Sequence, residues 1–134
     1  MSLIDYRSLV MILAALLLSI AVEGRLQQKA TTKIVYALDQ DLREPESLRD
    51  LRICEVTEND EGWITTISYR ARNGFGGFDR QVAFAKDYGG GVEIDSRLSR
   101  MPEFRDIYER QVERARTCPQ ISSEEIEMIR AAND

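Results

Sequence analysis

The chain has 134 residues, 18 Lys and Arg against 23 Asp and Glu, a net charge of −5 and no histidine. An acidic balance gives no general electrostatic footprint for nucleic acid. The lack of histidine removes the commonest general base and metal ligand, so any catalysis would run on carboxylates, Tyr, Lys or a thiol.

Residues Leu9 to Val22 read LVMILAALLLSIAV, apolar and uncharged, behind a head in which Asp5 and Arg7 are the only charges. A bilayer-crossing helix needs about 20 apolar residues, and this run is shorter, which suits the apolar region of a secretory signal. Small residues for processing stand at Ala21 and Gly24. Arg25, Lys29 and Lys33 follow the run while only Arg7 precedes it, against the usual placement of cations on the cytoplasmic side. Residues 1–24 are thus a cleaved signal peptide or an uncleaved membrane anchor, with a buried core helix as the remaining alternative. The expected location is exported, periplasmic or extracytoplasmic, with membrane attachment through Leu9 to Val22 if the leader is retained.

About 110 residues remain, enough for one domain with a modest core, expected over 25–119 with a short C-terminal helix or tail over 120–134. Gln27 to Leu42 lacks Pro and Gly, and its Ile34, Val35, Leu38 and Leu42 spacing predicts an amphipathic helix. With the leader retained, one continuous rod from membrane to domain follows. Pro45 ends the helix. Leu51 to Thr57 alternates as a strand, and Glu58 to Gly62 is a turn. Trp63 to Ala71 is rich in β-branched and aromatic residues. Asn73-Gly74 signals a hairpin, since both residues tolerate positive φ. Phe78 to Lys86 returns as the partner strand, and Gly91 to Ile94 adds a short one. From Pro102, the stripe Phe104, Ile107, Tyr108, Val112 and Ala115 predicts a long helix whose other face is charged and solvated. Ser122 and Glu125 form a capping box that opens a last short helix. Its few apolar residues predict a tail that is either loosely docked or frayed.

These elements define an α+β domain: an N-terminal helix, a small antiparallel sheet of about three strands, and a long C-terminal helix packed on one face. Cys54 and Cys118 match no metal or redox spacing. In an oxidising compartment they are expected to form a disulfide joining the first strand to the end of the C-terminal helix.

Two segments carry a resemblance: Glu44-Pro45-Glu46-Ser47, and Tyr69 to Phe78 with its Asn73-Gly74-Phe75-Gly76-Gly77-Phe78 core. A Pro-x-Ser segment followed by Asn, any residue, Phe, Gly, Gly and an aromatic is similar to a pattern in small bacterial and phage-borne exported proteins of uncharacterised function. The resemblance spans about the middle third of the chain. It implies a small α+β fold and supplies no activity.

The same hairpin is the candidate binding site. Phe75 and Phe78 among three glycines, flanked by Arg70, Arg72, Asn73 and Arg80, would present rings, cations and backbone amides together. Alternatively turn chemistry alone accounts for these residues, and both rings pack inward. The acidic residues Asp39, Asp41, Glu44 and Glu46 lack the calcium-loop pattern and read as a solvated helix end. No catalytic residue, metal ligand or cofactor is assigned. The expected role is non-enzymatic binding of a protein partner in the cell envelope, through the hairpin or an open sheet edge. The alternative is a small carboxylate-based hydrolase or anionic-ligand-binding module.

Overall fold

One helix dominates the architecture. In the computed structural model, which describes residues 5–133, α1 runs unbroken over Tyr6–Asp41, 36 residues, or about 54 Å at 1.5 Å per residue. Leader and domain helix are therefore continuous. Gly24 is the one strong helix-disfavouring residue between them, and a single glycine costs only about 1 kcal/mol relative to alanine. The Asp5 carboxylate caps the start by accepting from the Arg7 N–H at 3.3 Å. Leu42 turns extended at the other end, and Pro45 opens a 3-10 turn over Pro45–Ser47.

The two halves of α1 meet different surroundings. From Tyr6 to Ala21 every residue is exposed. Further along, Ala30, Ile34, Val35 and Leu38 form a stripe that is completely buried, as the helical period requires of a face packed on a sheet.

That sheet has five antiparallel strands rather than about three: β1 (Arg49–Ile53), β2 (Thr57–Glu58), β3 (Trp63–Arg72), β4 (Phe78–Asp87) and β5 (Val92–Asp95). Their order is β1-β3-β4-β5, with β2 also paired to β3. The expected strand Leu51 to Thr57 is in fact two. β1 lies along the distal half of β3, with Ile53 opposite Ile67, and β2 lies at its start, with Thr57 opposite Ile64. Between them the side chain of Gln27 takes over: its amide donates to the Cys54 carbonyl at 3.0 Å and its oxygen accepts from the Val56 N–H at 2.9 Å. Asp50, with φ 53°, bulges β1 in the left-handed region that Asp tolerates better than most residues.

Side chains alternate across β3. Trp63, Ile67, Tyr69 and Ala71 join Leu51, Ile53, Ala83 and Ala85 in the core against α1. The opposite face receives α3 (Arg105–Arg116), where the Thr66 hydroxyl donates to Gln111 at 2.8 Å. The long helix expected from Pro102 is interrupted. A short α2 (Arg97–Arg100) precedes a 3-10 turn over Pro102–Phe104, and only then does α3 begin. Met101 is extended, the conformation a following proline imposes.

Cys54 and Cys118 form a disulfide with Cα atoms 4.8 Å apart, fastening the end of β1 to the end of α3. The last helix, α4 (Ser123–Asn133), is docked rather than loose. Ile126 is buried in the main core, and the Tyr36 hydroxyl donates to the Ile129 carbonyl at 3.3 Å. The Arg130 guanidinium grips both oxygens of Asp39, with its shortest bond at 2.7 Å, and donates to the Pro45 carbonyl at 3.0 Å. Apolar count alone misses such polar anchoring.

Candidate functional site

Helix α1 runs beside β3 in the same direction. Gln27 bonds the chain near the start of β3, while Arg43, just past the end of α1, lies against Gly74 in the β3–β4 loop. The hairpin tip thus stands at the end of the domain opposite the exposed rod. Leu26 to Asp41 separates the two by about 22 Å along the helix axis.

The tip is a five-residue loop, Asn73 to Gly77, closed by the pair Arg72 and Phe78. Asn73 builds it. Its N–H donates to the Gly77 carbonyl at 2.8 Å, and its side-chain oxygen accepts from the Phe75 and Gly77 N–H groups at 2.9 and 3.0 Å. Its amide nitrogen donates to Asp79 at 2.7 Å. The hairpin expected at Asn73-Gly74 forms, but neither of those residues takes positive φ. Positive φ falls on Gly76, at 87°, because the side-chain bonds of Asn73 close a wider loop.

Both rings depart from inward packing. Phe75 is 100% exposed and Phe78 38%. The Arg72 guanidinium sits over the Phe78 ring at 5.4 Å and lies 3.5 Å from Glu44. Arg70 reaches Asp50 at 3.8 Å. Strand alternation places Arg70, Arg72, Phe78 and Arg80 on one face of the hairpin, where Arg80 opens onto a polar cleft of about 340 Å³ with Arg52, Ser68 and Gln120. The six candidate residues therefore divide into a same-face group of four, the exposed Phe75, and Asn73 as organiser.

The two segments that carry the sequence resemblance touch. The Ser47 hydroxyl accepts from the Arg72 N–H at 2.9 Å and donates to the Glu44 carbonyl at 2.7 Å. The Pro45–Ser47 turn thereby fixes the strand that leads into the loop. Sequence reasoning missed Arg43 and Arg100 near the hairpin root. Arg43 adjoins the Glu44-Pro45 turn, whereas nothing local marks Arg100.

Electrostatics elsewhere are structural. Hydrogen bonds from the Arg97 side chain, the shortest at 2.6 Å, hold the Asp95 carboxyl down to about 2. The Gly89 N–H, and then Lys33 at 3.0 Å, hold Asp87 below the usual carboxylate range. Among the described residues no group of three or more His, Cys, Asp or Glu side chains is arranged to hold a metal ion. No protein-family model, curated protein or solved structure matches the chain.

Proposed function

We propose that the protein is an extracytoplasmic binding module, held to a membrane by α1, that recognises another protein through the β3–β4 tip. The observation that carries this reading is Phe75, wholly exposed on a loop that Asn73 has already ordered. An ordered, projecting aromatic flanked by Arg is the usual make-up of a binding hot spot, and little conformational freedom remains to be lost on docking. A pocket that buried the ring would gain roughly 1.5–3 kcal/mol.

Membrane attachment rests on the rod. Leu9, Val10, Met11, Ile12, Leu17 and Leu18 are all more than two-fifths exposed and at about 100° per residue point to every side of the helix. A partner helix would cover one stripe, whereas lipid covers the whole circumference. Arg7 to Arg25 spans about 27 Å, close to the roughly 30 Å of a hydrocarbon core, with a cation at each end to reach the interface. The disulfide favours an oxidising compartment for the domain, and the resemblance to exported proteins points the same way. In that arrangement the tip faces away from the bilayer, toward a partner rather than toward lipid.

Affinity capture of the full-length protein from its native envelope tests the reading. Phe75→Ala combined with Arg72→Ala should abolish recovery of the partner and leave the melting temperature nearly unchanged. Undiminished capture by this variant, or release of the protein from membranes by alkaline carbonate, would refute it.

A further inference from the structure

Tyr69 presents a hydroxyl that the fold does not use. The residue is only 4% exposed, and among the described residues its hydroxyl makes no hydrogen bond to protein, although every fully enclosed side-chain polar atom has a partner. That hydroxyl must therefore open to solvent, and Tyr69 lines a polar cleft of about 270 Å³ at the root of the hairpin. The cleft is walled by Arg43 just past the end of α1, by Arg100 from α2 and Arg72 from β3, and by Asp41, Asp79 and Gln81.

Two of the arginines beside it have donors to spare. Among the described residues Arg43 has no carboxylate within ion-pairing distance, and Arg100 spends one bond, at 2.7 Å, on the Ser96 hydroxyl. Gln81 is already engaged, accepting from Ser99 at 3.0 Å. Burial first, and then the Asp41 carboxylate, push the Tyr69 phenol up from its ordinary value, against the opposing pull of Arg100. The hydroxyl therefore keeps its proton and remains a donor at neutral pH. A buried neutral donor in a cleft that Arg43 and Arg100 also line is suited to an acceptor-only ligand. The cleft is smaller than the roughly 300–1,000 Å³ of pockets for drug-sized molecules, so the ligand group is small.

We propose that this cleft binds a small oxyanion, a carboxylate or a phosphate group, with Tyr69 as the fixed donor and Arg43 and Arg100 as the closing ones. The site shares Arg72 and Asn73 with the hairpin but does not include Phe75.

The test is titration of full-length protein, in nonionic detergent, with inorganic phosphate and separately with acetate, followed by the ring resonances of the tyrosines. Saturable movement of the Tyr69 resonances, with those of Tyr6 and Tyr88 unmoved, is the expected result. The probe that saturates names the source, and saturation by both assigns the oxyanion in general. Tyr69→Phe keeps the ring and the fold and should weaken binding about tenfold, as should Arg100→Gln, followed for that purpose by calorimetry; Arg105→Gln, on the exposed face of α3, should not. No saturation with either probe, or equal affinity in Tyr69→Phe of unchanged melting temperature, overturns the proposal.

Discussion

Replacing both cysteines, Cys54→Ala with Cys118→Ala, isolates what the disulfide contributes. The bridge closes a sequence separation of 64 residues, for which the chain-entropy relation gives roughly 4 kcal/mol. A domain of this size has a total stability of about 5–15 kcal/mol, so the loss is a large fraction. The folded contacts across the same junction survive the change. The Arg52 guanidinium still donates to the carbonyl of residue 118, at 2.7 Å in the native protein, and the Ile53 N–H to the Pro119 carbonyl at 3.2 Å. Most of the effect therefore comes from freeing the unfolded chain. Urea unfolding of unreduced wild type and variant, both full length in nonionic detergent, should show the stability falling by about 4 kcal/mol and the slope m rising. Thermal melting should fall by about 15 °C. A loss below about 1 kcal/mol, or two alkylatable thiols in the unreduced native protein, would refute the reasoning.

Gly62→Ala should destabilise the domain by more than about 1 kcal/mol in the same urea assay, because a Cβ there overlaps the Asp87 carbonyl across the β3–β4 pair. Asn73→Ala removes three side-chain bonds at an exposed site and should cost about 1–2 kcal/mol, with faster hydrogen exchange at the Phe75 and Gly77 amides; unchanged exchange would contradict its role as organiser. Acid should destabilise the fold through Asp95 and Asp87, whose folded values are depressed. Their contribution is complete above the unfolded carboxylate value of about 3.9 and is lost as pH falls toward about 2 for Asp95. Asp95→Asn should flatten that acid limb, as measured by melting temperature against pH.

Periodicity made the main elements legible: Ile34, Val35 and Leu38 located the core face of α1, and Trp63 to Ala71 located the central strand. The disulfide followed from an even cysteine count read beside an apolar leader. Details set by long-range contacts were not legible. The split between β1 and β2 depends on the side chain of Gln27, 27 residues before Cys54, and α4 is held by Arg130 reaching Asp39, 91 residues away. At the tip, the Asn73-Gly74 signal located the hairpin but not its backbone geometry, because Asn73 acts through its side chain rather than its own backbone angle. The cleft at Tyr69 had no sequence signal, since no local pattern announces that Arg43 and Arg100 line it with Tyr69.

The proposed function requires position 75 to meet a protein partner. A photo-crosslinking amino acid placed at position 75 of the full-length protein in its native membrane tests this directly, with the same probe at the exposed Glu103 as control. One discrete protein adduct from position 75, and none like it from position 103, is the expected result. No protein adduct at position 75, or the same adducts from both positions, would contradict it.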